Sequence, residues 1–370
     1  MPMKTKAAVL WARNQKWEVE EVELDDPKQS EVMVKLSAAG LCHSDEHLVT
    51  GDLPALGPIV GGHEGAGVVV QVGPGVTDVA EGDPVVLSFI PTCGRCKPCV
   101  RGMSNLCDLG LYLLLGPQMD GTHRFHARGK GLGQMCLLGT FSEYTVVPTA
   151  SVIKVGDRVA LDKAALVGCG VTTGYGSAVI TGEAGDGSTV VVMGVGGIGV
   201  NAVQGARIVG ARNIVALDPV EYKRRRATEF GATHTAADVG QAHSVIQQLT
   251  SGQMADVCVI ATDNAEASYV GQALSLVGKR GRVVVTAIGH PADTSANMSL
   301  QELTLFEKQV RGSLFGSSNP RTDIPKMLDL YESGQLKLDE LITREYSLED
   351  INQGYEDLRN GVNLRGLIRY

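Results

Sequence analysis

The sequence predicts an α/β protein of two domains, one rich in short strands and one built on a doubly wound parallel sheet. Its 370 residues exceed the ~250–300 that a single hydrophobic core usually serves. Short strand-like runs broken by glycine and proline dominate from 32 to about 147, whereas strands and helices alternate from about 172 onward. These observations exclude a single small module and predict two dissimilar domains.

The β-rich domain is predicted from runs such as 31–36 and 65–72, in which β-branched residues are frequent. The second run ends at the turn Gly73-Pro74-Gly75. Strands of this length, separated by turns, are typical of a small barrel. We therefore expect a barrel-like β domain.

The second domain is predicted from alternating elements. Its strands are expected at 189–193, 214–218, 256–261 and 282–288, with helical stretches between them. Such alternation predicts a parallel sheet covered by helices on both faces. A further strand around Val310–Phe315 is a candidate pairing edge between subunits.

The C-terminal segment carries two amphipathic helical stretches, 323–333 and 348–358, and a last strand at 366–370. Because it follows the alternating region, we expect it to return to the first domain. No internal repeat and no low-complexity stretch is evident.

Composition narrows the function. A net charge of −8 argues against a nucleic-acid or anionic-membrane surface as the main partner. No apolar stretch reaches the ~18 residues that span a bilayer, and no signal-peptide core is present, so a cytoplasmic location is expected. In such a reducing compartment the eight cysteines are expected to be metal ligands or free thiols.

The segment Gly194-Val195-Gly196-Gly197-Ile198-Gly199 matches the dinucleotide-binding pattern G-x-G-x-x-G. It directly follows a predicted strand and precedes a predicted helix, as the pattern requires. The first glycine permits a tight turn, the second lets the backbone approach a pyrophosphate, and the third lets helix and strand pack closely. Asp218, nineteen residues after Gly199, favours NAD over NADP, with the basic run 223–226 as the counter-argument.

Four cysteines lie within fifteen positions, at Cys93, Cys96, Cys99 and Cys107. Four thiolates at this spacing suit a closed tetrahedral zinc site. An iron–sulfur cluster is the alternative, but in ferredoxin runs the fourth cysteine follows after four positions and precedes proline. We expect a structural zinc, which would stabilise a lobe at about 93–107.

Cys42, His63 and Cys169 are separated in sequence, and spacing alone does not join them. Two thiolates and one imidazole can hold a catalytic zinc that keeps an open position. Buried inert cysteines and a satisfied core histidine are the alternative. Cys136 and Cys258 are expected in the core.

These motifs, taken in this order, resemble the zinc-dependent medium-chain alcohol dehydrogenases over about residues 5–370. The resemblance implies a GroES-like catalytic domain formed by 1–171 and 315–370. It implies a Rossmann NAD-binding domain formed by 172–314. The expected fold class is therefore α/β, with a GroES-like β-rich domain and a Rossmann doubly wound domain.

The resemblance also assigns metal ligands. It implies a catalytic zinc on Cys42, His63 and Cys169, and a structural zinc on Cys93, Cys96, Cys99 and Cys107, giving two zinc ions per subunit. Glu64 matches a carboxylate near the catalytic metal, and Asp45 matches one that orients the ligand histidine.

Ser44 and His47 match the proton relay of the family. Zinc polarises the alcohol oxygen, so its proton must leave a dry site while a hydride passes to the nicotinamide. Ser44 is expected to pass the proton through the cofactor ribose to His47, which is expected to reach solvent.

The resemblance places further residues on the cofactor and the substrate. Expected cofactor contacts are His43, Thr173, Lys223 and Arg365, together with Asp218 and the glycine motif. His43 and Arg365 are expected at the pyrophosphate and Lys223 near the adenosine ribose. Phe89 is expected to line the substrate pocket.

Stretches 166–177 and 319–326 resemble the NDMA-dependent, nicotinoprotein subgroup. That implies NAD(H) held permanently and re-oxidised in place by an external acceptor, such as the redox carrier mycofactocin. We expect oxidation of primary alcohols, aliphatic or aromatic, and the reverse reduction of aldehydes, in a homodimer or homotetramer. Three alternatives remain: an ordinary NAD-exchanging alcohol dehydrogenase, a thiol-adduct formaldehyde dehydrogenase, and a non-catalytic Rossmann and zinc-ribbon sensor.

Overall fold

The computed structural model describes residues 2–54, 56–290, 292 and 294–370. The chain forms two compact units. Unit 1 comprises Met1–Cys169, Asn319–Gly334 and Leu338–Tyr370, and unit 2 comprises Gly170–Ser318 and Gln335–Lys337. The predicted domain boundaries, after 171 and 314, lie two and four residues from these.

The strands are β1 (Met3–Leu10), β2 (Glu18–Leu24), β3 (Glu31–Gly40), β4 (Ile59–Val60), β5 (Gly65–Val72), β6 (Pro84–Leu87), β7 (Phe125–Ala127), β8 (Lys130–Gln134), β9 (Tyr144–Pro148), β10 (Val152–Lys154), β11 (Thr189–Met193), β12 (Asn213–Leu217), β13 (His234–Ala236), β14 (Ala255–Ile260), β15 (Val277–Val285), β16 (Gln309–Gly312), β17 (Ile342–Tyr346) and β18 (Arg365–Arg369). The helices are α1 (His43–Thr50), α2 (Lys97–Val100), α3 (Leu161–Ala164), α4 (Gly170–Gly176), α5 (Gly199–Ile208), α6 (Glu221–Glu229), α7 (Val239–Leu249), α8 (Ala267–Leu276), α9 (Leu300–Leu305), α10 (Pro320–Glu332) and α11 (Ile351–Arg359). Short 3-10 turns and one π-helical turn connect several of them.

Unit 1 is β-rich. Strands β1, β2, β7, β8 and β4 close into a barrel, and a second sheet runs β10-β6-β5-β3-β18-β17, with β9 also paired to β3. The C-terminal strand β18 pairs antiparallel with the end of β3, from Leu367 opposite Gly40 to Arg369 opposite Ala38. The end of the chain therefore lies in unit 1, beside the segment that leads into α1.

The core of unit 1 joins its sheets to α11. On α11, Ile351, Tyr355 and Leu358 are buried, at the spacing of one helical face. They belong to a cluster with strand residues such as Val34 and Leu36. Burial of this face, more than intrinsic helix propensity, stabilises so short a helix.

Unit 2 contains a six-stranded parallel sheet of order β13-β12-β11-β14-β15-β16. The chain order reverses between β11 and β14, which makes the carboxyl end of β11 the topological switch point. Strand β11, Thr-Val-Val-Val-Met, is buried along its whole length, as expected of a central parallel strand. The predicted doubly wound sheet is confirmed.

Between β12 and β14, two elements of unit 2 were not predicted. Strand β13 has three residues, of which only Ala236 is buried, so it carries no periodic signal. Helix α7 begins after Asp238, whose carboxylate accepts the backbone N–H of Gln241 at 2.8 Å. An aspartate at this position is a typical N-cap residue, so the sequence did contain a signal for the start of α7. Strand β15 also begins at Val277, earlier than the predicted 282.

Within the described part of the chain, no single helix is long and apolar enough to cross a membrane. Among the described residues, one bent pair, Leu161–Gly168 and Gly170–Thr181, satisfies the criteria of length and composition together. Residues 164–178 of that pair are buried, as core helices of globular proteins are.

Candidate active site

Residues Cys42, His63 and Cys169 come together in unit 1, although they lie far apart in sequence. Cys42 immediately precedes α1, His63 lies in the connection between β4 and β5, and Cys169 ends the unit's first segment. All three are buried. Their ligand atoms and one carboxylate oxygen of Glu64 lie within 4.8 Å of one another. The inert-core alternative for these residues does not explain this convergence.

The orientation of His63 fits a metal ligand. Its Nδ1 lies 3.3 Å from Oδ1 and 3.2 Å from Oδ2 of Asp45, so that nitrogen is directed to the carboxylate. Its Nε2 is buried and has no hydrogen-bond partner among the described residues. A buried orphan nitrogen is costly unless a cation or proton occupies it. The donor set of two thiols and one imidazole suits zinc.

Asp45 lies on α1 and is completely buried. Its Oδ1 accepts the backbone N–H of Gly62 at 2.9 Å as well as facing His63. Gly62 has φ of +88°, a conformation that side-chain-bearing residues rarely adopt. This backbone conformation directs the N–H of Gly62 toward Asp45. The Asp45 carboxylate, held in this way, lies where it can orient the His63 imidazole.

The hydrogen bond between the two thiols shifts their pKa values in opposite directions. A hydrogen bond from Cys169 lowers the pKa of Cys42 well below its usual value, although burial opposes the shift. The same bond, with burial, raises the pKa of Cys169 well above its usual value. Burial lowers the pKa of His63, but the charges of Asp45 and Cys42 outweigh it and raise that pKa well above normal. Metal binding would displace the protons on Cys169 and His63.

Glu64 and Arg365 form a buried ion pair beside these ligands. Burial raises the pKa of Glu64, while the guanidinium of Arg365 opposes the rise. A Cβ on Gly40 would overlap Oε2 of Glu64 and lie 3.1 Å from Nη2 of Arg365. The absence of a side chain at Gly40 therefore makes room for the pair.

Ser44 and His47 both lie on α1. The Cys42 Sγ and Ser44 Oγ atoms are 3.7 Å apart, so the hydroxyl lies at the thiol cluster. His47 was expected to reach solvent, but it is buried at 7% exposure. The chain folds over it because its carbonyl accepts the N–H groups of Gly51 and Leu53.

One polar contact of His47 is Asp52. The Nδ1 of His47 lies 3.2 Å from Oδ2 of Asp52, whose side chain is 33% exposed. The hydroxyl of Thr50 donates to the same oxygen at 2.7 Å. Asp52, which the sequence analysis missed, therefore links the buried histidine to the surface.

The four-cysteine segment forms a second ligand group in unit 1. The Sγ atoms of Cys93, Cys96, Cys99 and Cys107 lie within 4.8 Å of one another. Backbone N–H groups point at the sulfurs; that of Cys96 donates to Cys93 at 3.3 Å. Burial opposes the shift, but these amides lower the pKa of Cys93 to about 6, whereas burial raises the pKa of Cys107 to about 12. Four sulfurs around one point leave no open position on a tetrahedral ion.

The glycine motif of unit 2 follows β11 and leads into α5. Gly194 has φ of +84°. A Cβ on Gly199 would overlap the carbonyl oxygen of Gly194, so the loop and the helix are in close contact. A Cβ on Gly196 would meet nothing within 4 Å, which leaves this backbone open to a ligand. This geometry fits a pyrophosphate at the N-terminus of α5.

Asp218 follows β12 and is buried. Its Oδ2 accepts the N–H of Val195 at 3.0 Å, and its Oδ1 accepts the N–H of Val220 at 2.9 Å. The carboxylate thus connects the glycine loop to the end of β12. Arg224 donates to the carbonyl oxygens of Asp218 at 2.7 Å and Pro219 at 2.8 Å, while Lys223 on the same helix is half-buried.

The other predicted residues lie in different surroundings. Phe89 packs its ring edge-on against His63, with centroids 5.8 Å apart, so it lies at the candidate metal site. His43 is half-buried at the start of α1, and Thr173 is buried in α4. Arg365 has the contact to Glu64 that the sequence analysis did not anticipate.

Two family models match the chain. Residues 28–157 match the alcohol dehydrogenase GroES-like domain, and residues 197–333 match the zinc-binding dehydrogenase family. The chain is 52% identical over 368 residues to the NDMA-dependent alcohol dehydrogenase of Amycolatopsis methanolica, covering 100% of this chain and 99% of that protein.

Solved structures agree with these matches. A zinc-binding alcohol dehydrogenase domain protein from Burkholderia ambifaria superposes with a TM-score of 0.94 at 32% identity, covering 100% of this chain and 99% of the other. Benzyl alcohol dehydrogenase from Acinetobacter calcoaceticus superposes with a TM-score of 0.92 at 28% identity, covering 99% of this chain and 99% of the other. The chain therefore belongs to the zinc-dependent medium-chain alcohol dehydrogenases, close to the NDMA-dependent subgroup.

Membership confirms the predicted fold class and defines the chain as an oxidoreductase of the alcohol dehydrogenase type. Together with the two ligand groups it indicates zinc and NAD(H) as the cofactors. It also rejects the non-catalytic sensor considered from the sequence.

Proposed function

We propose that this protein oxidises primary alcohols, aliphatic or aromatic, to aldehydes and catalyses the reverse reduction, with NAD(H) held permanently. The observation that carries the proposal is the convergence of Cys42, His63 and Cys169, with His63 presenting a buried orphan Nε2. Three ligands leave one tetrahedral position for an alcohol oxygen. The NDMA-dependent relative supports the permanent cofactor and an external electron acceptor, such as a redox carrier.

Each residue around the metal site has a distinct role. Cys42, His63 and Cys169 would hold the catalytic zinc, and Asp45 orients His63. When bound, zinc acts as a Lewis acid toward the alcohol oxygen, and the nicotinamide accepts the hydride. Phe89 contributes an apolar wall against the His63 ring, which excludes water and contacts the substrate.

The proton released from the alcohol leaves through α1. The Ser44 hydroxyl, beside Cys42, accepts the proton first. With the cofactor ribose between them, His47 would receive it next, and Asp52, whose carboxylate is partly exposed, orients His47 and opens the path to solvent. Burial of His47 makes this carboxylate necessary, since the imidazole itself has little contact with water.

The cofactor is held by backbone and side chains of the glycine motif region. The amides of 194–199 would bind the pyrophosphate at the N-terminus of α5, and Asp218 and Lys223 would bind the adenosine ribose. Because a 2′-phosphate would be repelled by Asp218, NAD is preferred over NADP. His43 and Thr173 complete the contacts.

Arg365 is assigned two partners. Its guanidinium bonds Glu64, and we propose that it also contacts the cofactor pyrophosphate. Arginine has five N–H donors, so one guanidinium can bond both groups. Glu64, held by Arg365, supplies negative charge beside the metal ligands without being one of the three.

The first experiment denatures the protein as purified, without added nucleotide, and quantifies NAD(H) and zinc per subunit. About one NAD(H) and two zinc ions per subunit support the proposal. Two zinc ions without nucleotide would instead indicate an ordinary NAD-exchanging alcohol dehydrogenase, and preference for a thiol adduct of formaldehyde in turnover assays would indicate the formaldehyde enzyme.

A cysteine pair tests the catalytic site directly. Cys42→Ala should lose one zinc per subunit and alcohol oxidation while remaining folded. Cys258→Ala is the matched control, because Cys258 is a buried cysteine of the other unit and lies in its core. Normal turnover in Cys42→Ala would contradict the assignment.

We further propose a homodimer or homotetramer that forms through the edge strand β16. This strand pairs only with β15 among the described strands, and Val310, Leu314 and Phe306 beside it are 36%, 46% and 40% exposed. Unpaired edges with apolar side chains favour association between copies.

We also propose a cytoplasmic location. The eight cysteines form no disulfide bond, which is typical of proteins in a reducing compartment such as the cytoplasm.

A further inference from the structure

Tyr355 on α11 is a buried tyrosine that the proposed mechanism does not use. It is 2% exposed, and its hydroxyl oxygen forms no well-aligned hydrogen bond with any described residue. A buried hydroxyl without a partner costs about 1–3 kcal/mol in general. A phenylalanine at position 355 would fill the same space without a buried hydroxyl. The presence of the Tyr355 hydroxyl therefore suggests a function for it.

The ring of Tyr355 is held by an aromatic cluster. It stacks on Trp17 with centroids 6.3 Å apart and meets Phe141 at 6.2 Å. A Cβ on Gly61 would press into the rings of both Trp17 and Phe141. The cluster thus lies directly against the Gly61–Gly62 segment that precedes His63, and the tyrosine has little freedom to reorient.

Helix α11 presents the same face to α1. Arg359, one helical turn after Tyr355, donates to Oε1 of Glu46 at 2.6 Å. Residues four apart lie on one face of a helix. Glu46 is the neighbour of Asp45, so this ion pair places the residue four positions after Tyr355 beside α1.

Asp45 has a matching unsatisfied atom. Its Oδ1 accepts from Gly62 and faces His63, but its Oδ2 is buried and makes no well-aligned hydrogen bond. The two buried unpartnered oxygens lie on α11 and α1, which the Arg359–Glu46 ion pair connects, so each is a suitable partner for the other. Burial, and next the charge of Asp45, raise the pKa of Tyr355, which agrees with this placement. An ionised carboxylate has about four acceptor sites, and a phenol can donate to one of them.

We propose that Tyr355 is a positioning residue for the catalytic metal: its O–H donates to Oδ2 of Asp45, extending the Asp45–His63 contact to the aromatic core. The bond fixes the carboxylate, the carboxylate fixes the imidazole, and Nε2 is thereby aimed at the metal. This inference rests on the proposed catalytic zinc. Outer partners of metal-bound histidines commonly change metal affinity by about 10–100-fold.

The test uses the holoenzyme and measures the rate at which a chelator removes zinc. Cys42→Ser, which lacks the catalytic zinc, identifies the catalytic phase, and the four-cysteine zinc serves as the internal reference. Tyr355→Phe keeps the ring packing and should accelerate only the catalytic phase, by about tenfold or more. Tyr346→Phe is the matched control, because it removes a hydroxyl that donates to Asp357 at 2.7 Å in the same unit.

A mutant cycle distinguishes positioning from packing. If Tyr355 acts through Asp45, Tyr355→Phe should add no further acceleration in an Asp45→Asn background. The visible spectrum of the cobalt-substituted protein should change in Tyr355→Phe and not in Tyr346→Phe, and the two variants should have similar melting temperatures.

Three results would overturn the inference. One is an unchanged catalytic phase in folded Tyr355→Phe, and another is equal acceleration in Tyr346→Phe. The third is additive effects of Tyr355→Phe and Asp45→Asn. One zinc per subunit in the wild-type protein would instead refute the proposed function, because no catalytic zinc would be bound. The three results above, obtained with two zinc ions per subunit, would refute only the role of Tyr355.

Discussion

Replacing Gly199 by alanine tests whether the glycine loop is built for close packing. The added Cβ would overlap the carbonyl oxygen of Gly194, and it would lie 2.9 Å from the carbonyl carbon of Gly194 and 3.3 Å from Cγ1 of Val192. These neighbours are backbone and a β-branched side chain, so they cannot rotate away. Either the start of α5 moves off β11 or the loop changes shape.

Overpacking of this kind typically costs about 1–3 kcal/mol. Alanine gains up to ~1 kcal/mol over glycine inside a helix, but Gly199 is the first residue of α5, so little of that gain applies. In a domain of this size about 2–4 °C of melting temperature is lost per kcal/mol. We therefore expect a drop of several degrees, together with loss of NAD(H) from the purified protein, because the amides that face the pyrophosphate move.

Two matched variants separate packing from ligand contact. A Cβ on Gly196 or on Gly185 meets nothing within 4 Å. Gly196→Ala should leave the melting temperature of nucleotide-free protein unchanged yet reduce NAD(H) content, since its Cβ enters the space left for the ligand. Gly185→Ala, at the amino end of β11, should change neither quantity. Full NAD(H) content and an unchanged melting temperature in Gly199→Ala would refute this reasoning.

The other predictions concern the stability of unit 1. Arg124 is fully buried and donates two hydrogen bonds to Glu31, of 2.8 and 2.6 Å. Because Arg124→Met leaves the Glu31 carboxylate without this partner, we expect it to lower the free energy of unfolding in urea by about 3–5 kcal/mol. Arg128→Met removes a half-exposed ion pair with Glu18 and should lower it by less than about 1 kcal/mol. Burial opposes the shift, but hydrogen bonds from Thr122 and Arg124 lower the pKa of Asp120. Its stabilisation is therefore present above the unfolded pKa of about 3.9 and lost as the pH falls below it, so Asp120→Asn should flatten the acid limb of stability against pH. Equal costs for the two arginine variants, or an unchanged acid limb, would contradict these expectations.

The sequence by itself determined the features whose evidence is contiguous. The four cysteines at 93–107 and the glycine motif at 194–199 carry their chemistry in local spacing, so ligand type and helix start could be read directly. The alternation of strands and helices predicted the parallel sheet for the same reason, because periodicity is local. The short strand β13 was not predicted, because three residues are too few to show the alternation of buried and exposed side chains that is typical of a strand.

Only the tertiary structure decided which separated residues meet. The approach of Cys42, His63 and Cys169 depends on the two sheets of unit 1 bringing α1, the β4–β5 connection and the segment before α4 together. Their separation in the sequence does not indicate that these three residues lie close together in space. Only the family resemblance predicted that they form one site.

Burial and pairing were likewise decided by packing. The turn after α1 covers His47 and brings Asp52 to it, and β18 beside β3 brings Arg365 to Glu64. Helix α11, recognised from the sequence only as amphipathic, buries Tyr355 against Trp17 and Phe141. Local patterns determine which elements form, whereas long-range packing determines which polar groups lose water and must find one another.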